Sequence, residues 1–272
     1  MTSPEPRPTD TYTHGHSESV LKSHTWRTVE NSAAYLLGEL VDGRSVLDVG
    51  CGPGTITVDL AQRVGSAEVV GIDLGAEVIA KAKAAVPSQV KNVSFAEGSV
   101  YELAFDDDQF DIVHAHQVLQ HLSDPVAALR EMRRVCRPGG VVAARDADYG
   151  SMAWAPKDPV LDRWMATYQA VARGNDAEPD AGRYLKGWAT EAGFSEVSCS
   201  ASIWCFADDT DRTWWGELWA GRILDSSLAE QAQDRGLASP EQLTELSDAF
   251  QRWIDAPGAW FSVPHGEVLA RP

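Results

Sequence analysis

Val46-Leu47-Asp48-Val49-Gly50-Cys51-Gly52-Pro53-Gly54 carries a short apolar run into three alternate glycines, and a second apolar run, Glu68-Val69-Val70-Gly71-Ile72-Asp73, ends on an acid. Alternate glycines let a chain turn sharply after a strand and come close to a ligand, because a Cβ at those positions would stand in the way. The spacing argues against a dinucleotide. A pyrophosphate-binding loop needs its third glycine three residues after the second, and Thr55 stands there. Asp48, two residues ahead of the first glycine, suits an ammonium group better than a phosphate, which it would repel. Asp73, at the end of the next strand, can accept hydrogen bonds from both hydroxyls of a ribose.

Outward from this loop, short β-branched runs alternate with longer helical stretches up to residue 146, the pattern of a parallel sheet covered on both faces. Strands are predicted at 45–50, 68–73, 92–96, 110–115 and 140–146. Between the last two, Asp124 caps a helix, Pro125 fills its first turn, and Val126, Leu129, Met132 and Cys136 form one apolar stripe. Pro138-Gly139-Gly140 is expected to stop that helix. In such open sheets ligands bind beyond the carboxyl ends of the strands, where each of these motifs falls.

The segment 46–146 resembles the class I S-adenosylmethionine-dependent methyltransferases, most closely the ubiquinone/menaquinone C-methyltransferase-like group. Five ordered motifs carry the resemblance. They are the glycine loop; Gly71-Ile72-Asp73-Leu74; Glu97-Gly98-Ser99-Val100; Phe110-Asp111-Ile112-Val113 with its following loop His116-Gln117-Val118-Leu119-Gln120-His121-Leu122; and Arg137-Pro138-Gly139-Gly140. The resemblance implies a Rossmann-like α/β fold with a seven-stranded, mostly parallel sheet and helices on both faces. It implies S-adenosylmethionine as cofactor, with S-adenosylhomocysteine as product. Cofactor contacts are expected from Asp48, Gly50, Cys51, Gly52, Gly54, Asp73, Leu74, Gly98, Ser99, Val100 and His116. Ser99 departs from the acid that the family usually has at that place. In similar methyltransferases a leading helix and the aromatic before it close the methionine end, which points to Tyr12, His16 and Arg27 for the carboxylate.

Residues 1–10 are expected to be a disordered tail and 11–272 a single domain, with an N-terminal helical cover over 11–41 and helical cap insertions over 147–181 and 207–257. A helix at 183–192 and a strand at 196–206 resemble the family's sixth unit. Gly258-Ala259-Trp260-Phe261-Ser262-Val263 and Gly266-Glu267-Val268-Leu269-Ala270 are read as the final, antiparallel strand. Eight of the ten tryptophans fall in 147–257, and at least two are expected to line a pocket for a flat or greasy substrate. For any single one, gluing cap helices to the sheet is the simpler role.

Methyl transfer is an in-line displacement, so most of the work is alignment, and a phenol, enol or acidic carbon also needs a proton acceptor. His116, Asp146 and Tyr149 are the candidates. His121 is read as structural, and Asp146 either orients a substrate hydroxyl or pairs with Arg145. No metal site is expected: His114, His116 and His121 lack the carboxylate-rich oxygen set of the metal-dependent catechol-type enzymes. His116-Gln117-Val118-Leu119 also stands where amino-directed methyltransferases carry an Asn/Asp-Pro-Pro-aromatic motif, which disfavours that chemistry.

Forty acids against 23 bases give a formal charge of -17, which disfavours a nucleic-acid partner. The four cysteines have no paired spacing, and neither an apolar leader nor a membrane span is evident, so a reduced, cytoplasmic protein is expected. The expectation is a methyltransferase acting on an oxygen or carbon nucleophile of an apolar, aromatic or natural-product-like small molecule; a homo-oligomer is compatible with it. The alternative is an S-adenosylmethionine-binding protein that uses the same scaffold for a cyclisation or decarboxylation, or for binding only.

Overall fold

A computed structural model describes Asp10, Thr13 and residues 25–272. Tyr12, His16 and most of the expected tail and cover lie outside the described residues.

Where the cover is described it is one short helix, α1 (Val29–Ser32), and a 3-10 turn at Ala34–Glu39. Then follow β1 (Val46–Val49), α2 (Thr55–Arg63), β2 (Val69–Asp73), α3 (Ala76–Ala85), β3 (Val93–Glu97), β4 (Phe110–His116), α4 (Pro125–Val135) and β5 (Cys136–Ala147). The remainder is β6 (Ala153–Ala155), α5 (Pro159–Arg173), α6 (Leu185–Glu191), β7 (Glu196–Phe206), α7 (Asp209–Asp225), α8 (Ser227–Asp234), α9 (Pro240–Ile254) and β8 (Trp260–Arg271).

These strands form a single sheet in the order β3-β2-β1-β4-β5-β8. β1 to β5 pair in parallel, and β8 runs antiparallel between β5 and β7. The sheet has eight strands, one more than expected from the sequence. The extra one is β6, three residues that pair with Trp260–Ser262 of β8 on the edge that β5 occupies further along. It is too short to leave a periodic signal. The two segments read as the last strand are one continuous strand, joined through Pro264.

α4 begins as predicted: Asp124 accepts a hydrogen bond from Ala127 N at 2.9 Å, Pro125 occupies the first turn, and Val126, Leu129 and Met132 are buried. Its end differs from the expectation. The helix stops at Val135, and Cys136 already pairs with Phe110 in the sheet. Pro138-Gly139-Gly140 therefore lies inside β5, as an irregularity in register before Val141 pairs with Ile112.

The two faces of the sheet are unlike. One packs Leu47, Val113, Val142 and Val268 against α4 and α6 and is apolar up to the end of β5, where the buried Asp146 follows Val142 and Ala144 on the same face. The other packs Val46, Ile112 and Val141 against α1 and α2, but it also carries a polar row near the strand ends. Pairing places Asp48 beside His114 in one rung, and His116, Arg145, Glu267 and Ser200 side by side in the next. Charged residues are rarely buried in a parallel sheet without a partner or a task.

The cap insertions fold as three helices of the 207–257 segment and one of the 147–181 segment around a separate aromatic core. Trp164, Trp219, Phe250 and Phe261 are essentially inaccessible there, and Trp215 stacks on Phe206 with centroids 4.3 Å apart. Among the described residues no helix is long and apolar enough to cross a membrane.

Candidate active site

Strand order reverses between β1 and β4, so the loops that leave their carboxyl ends lie next to each other over a crevice. A cavity of about 400 Å³ occupies this place. Its floor is the glycine loop. Gly50, Gly52 and Gly54 all have positive φ (66°, 54° and 81°), which side chains other than glycine rarely adopt. At Gly50 a Cβ would also run into Val118 from the β4 loop, so these two loops can close together only around a glycine.

Asp73 sits at the cavity edge with both oxygens oriented by the backbone: Oδ2 accepts from Gly52 N and Oδ1 from Gly75 N, each at 3.0 Å. Each oxygen keeps a lone pair for a ligand hydroxyl. Leu74, exposed at 68%, projects beside it, and Gly98 and Val100 follow along the same wall. Arg27, Cys51 and Gly52 also line the cavity.

Asp48 lines it too, but its carboxylate is held from within. Oδ2 accepts the Thr57 hydroxyl at 2.6 Å and Oδ1 contacts His114 Nδ1 at 2.8 Å. It thus ties β1 to α2 and β4 as well as placing a negative charge under the loop. Gly54 and Ser99 lie outside the cavity lining. Gly54 is needed for packing, since a Cβ there would come within 2.6 Å of the Phe95 ring. The Ser99 side chain instead accepts from Tyr101 N at 3.3 Å.

The β4 loop forms the opposite wall. His116 is 5% exposed, and neither of its ring nitrogens has a hydrogen-bond partner among the described residues. Burial, helped by the nearby Arg27 and Arg145, holds its pKa well below that of a free imidazole, so the ring is neutral. It packs against Trp204 and His265. Gln117 follows in the left-handed region (φ 54°), accepts from Arg27 at 2.6 Å and approaches His265 Nε2 at 2.9 Å. Tyr149 closes the site from the cap side, stacked on Tyr168 with centroids 4.1 Å apart. Burial pushes its hydroxyl pKa up, which keeps it a neutral donor.

Asp146 departs from its expected place. It does not line the cavity but stands behind the β4 loop, where Oδ1 accepts from Gln120 N at 3.0 Å. Gln120 returns the contact by accepting from Ala147 N at 3.1 Å. Arg145 does not provide the ion pair considered for Asp146: its guanidinium reaches Glu267 at 3.2 Å and lies 4.9 Å from the Trp204 ring. Burial raises the Asp146 carboxyl to about 7. Its position is that of a residue fixing the loop that carries His116.

The tryptophans are a second correction. Among the described residues none lines the cavity; those of the cap fill its own core instead. A large ring gains most where it is covered on both faces, and the junction of cap helices and sheet provides that. His121, read as structural, does line the cavity, and burial together with the charges of Arg27 and Arg222 lowers its pKa to about 3. Sequence reasoning missed Asp10, Gln117, Gln120 and Arg222 on the walls. Only Gln117 and Gln120 were within a motif, and Arg222 had no sequence signal.

Residues 40–200 match the family model of the methyltransferase domain. Over 97% of its length the chain is 38% identical to an uncharacterized methyltransferase of Schizosaccharomyces pombe, covering 98% of that protein. The chain belongs to this methyltransferase family. Its glycine loop, the acid that ends its second strand and its strand order are those of the class I, S-adenosylmethionine-dependent members. A demethylmenaquinone methyltransferase of Staphylococcus aureus is 36% identical over 46% of the chain and 50% of that protein, in keeping with the resemblance seen in the motifs. The crystal structure of the YcgJ protein of Bacillus subtilis shares the fold, with a TM-score of 0.56 at 19% identity over 89% of this chain and 98% of that one.

Proposed function

We propose that this methyltransferase moves the methyl group of S-adenosylmethionine to an oxygen or carbon nucleophile of a small molecule with an apolar, aromatic or natural-product-like body, as a cytoplasmic enzyme without a nucleic-acid partner. When bound, S-adenosylmethionine supplies an electrophilic methyl carbon on a positive sulfur. Asp73 would accept the ribose hydroxyls, Leu74, Gly98 and Val100 would hold the adenine, and the backbone of Gly50 to Gly52 would hold the methionine part. Asp48 would contribute its charge toward the ammonium, and Arg27 would hold the carboxylate. The fit rests on the glycine cradle, which a Cβ at Gly50 would close.

The observation that carries the acceptor reading is His116: a neutral imidazole on the cavity wall with neither nitrogen partnered among the described residues. A buried imidazole in that state costs free energy unless a ligand hydrogen-bonds to it, and an acidic O–H or C–H of an acceptor can do so. Tyr149 adds an aromatic ring to the lining of the same cavity. Valine and leucine side chains at 118 and 122 supply apolar surface in place of the expected tryptophans.

Single-turnover methylation with saturating cofactor, run across a panel of phenols and enols, tests this reading. His116→Ala should lower the rate about a hundredfold, the usual contribution of a positioned proton acceptor. The wild-type rate in that variant would show that His116 takes no part in activating the acceptor.

A further inference from the structure

The sheet has two edges of different character. β3 forms one; it is five residues long, follows Lys91 and ends on Glu97. β7 forms the other. It runs for eleven residues and pairs with β8 in one unbroken register, from Glu196 opposite Arg271 to Phe206 opposite Phe261. Among the described residues no strand pairs with its outer side. An edge strand of that length presents a row of outward N–H and C=O groups that can take up another strand.

Edge strands commonly discourage such pairing with lysine, proline, a bulge or short length. β7 has none of these. Residues 197–206 carry no charged side chain, in a chain whose formal charge is -17. Residues 198–201, which alternate between the two faces, are all exposed, and Ile203 is 61% exposed. The order of side chains is also self-complementary. A two-fold axis through Ser202, perpendicular to the sheet, sets the strand antiparallel to its own copy and keeps every residue on its face. Ser198 then stands opposite Phe206 of the second copy, Cys199 opposite Cys205, Ser200 opposite Trp204 and Ala201 opposite Ile203. Trp204 and Phe206 are already packed on Trp26 of their own chain, and a serine opposite each leaves them room. Glu196 stays outside the paired stretch.

We propose that β7 joins two copies of this chain edge to edge, in the register centred on Ser202, so that the two sheets become one. An uncharged edge suits a second copy of an acidic chain: the excess negative charge repels the copies elsewhere, and along 197–206 there is none to oppose contact. The two-fold arrangement also closes, because each copy spends its β7 edge on the other and assembly through it stops at the dimer. No β7 residue lines the cavity, so the contact is independent of the reading of the active site.

Sedimentation equilibrium of the full chain over a concentration series, with reductant present, tests the contact, and oxidation with diamide tests its register. The wild type should sediment as a dimer of 29.5 kDa chains. Diamide should then link Cys199 of one copy to Cys205 of the other, since facing residues of antiparallel strands lie within the Cα separation that a disulfide needs. Peptide mapping identifies the link, and Cys199→Ser should lose it. Ala201→Lys, at an exposed position, should weaken the dimer at least about tenfold, because the two lysines become diagonal neighbours across the axis. Ala201→Ser should leave the dimer intact. Circular dichroism checks the fold of both variants; should Ala201→Lys not fold, the wild-type mass and the disulfide decide. A monomer throughout the series overturns the proposal and leaves the edge to a strand of another chain. A dimer that survives in folded Ala201→Lys, or one in which oxidation does not join Cys199 to Cys205, overturns it as well.

Discussion

Glu267→Ala should destabilise the fold by about 3–5 kcal/mol, because it leaves Arg145 as an uncompensated buried cation. Arg145 is 1% exposed and faces Glu267 directly across the β5–β8 pairing. Burial already pushes its pKa down to about 10, a sign of how poorly water reaches it. Glu267 also accepts the Ser200 hydroxyl at 2.6 Å and that of Ser202, so its removal leaves Arg145 with the Ser202 oxygen as its hydrogen-bond acceptor. Urea unfolding of the single variant and of Arg145→Met/Glu267→Leu makes the test: the double variant should recover much of the loss, since apolar replacements of a buried pair are often close to neutral. A single variant within about 1 kcal/mol of wild type would show that Arg145 finds other compensation.

Asp73→Ala should weaken S-adenosylhomocysteine binding at least about a hundredfold. Hydrogen bonds to a charged acceptor contribute roughly 1.5–3 kcal/mol each, and two ribose hydroxyls lose theirs together. The variant also frees Gly52 N and Gly75 N, which the carboxylate now orients, so the glycine loop loses a tether. Asp73→Asn should fall between the two, keeping an acceptor without the charge. Equilibrium titration of the three proteins gives the comparison, and an unchanged dissociation constant in Asp73→Ala would mean that the acid does not face the ribose.

What the sequence revealed follows from what is local in it. A strand, a glycine turn and a terminal acid occupy a few consecutive residues, so the glycine loop, Asp73 and the β4 loop could be read directly, and the parallel order followed. The extra strand β6 could not, because Ala153–Ala155 is shorter than any periodic signal. Side-chain direction was the other limit. Asp146 ends the fifth strand as expected, yet its carboxylate serves the backbone of the neighbouring loop. The cap tryptophans show the same ambiguity: composition announced an aromatic cap, but the same rings can wall a cavity or fill a core, and their packing on Phe206, Phe250 and Phe261 decides for the core. Arg222 reaches the site through tertiary packing alone, from a helix at Asp209–Asp225 that is far along the chain from the β4 loop.

The central claim is that the cavity at the carboxyl ends of β1, β2 and β4 holds S-adenosylmethionine. Calorimetric titration of the wild-type protein with S-adenosylhomocysteine tests it most directly. One site per chain with a dissociation constant in the micromolar range, about -8 kcal/mol, is the predicted result; the absence of binding heat at several temperatures would contradict it.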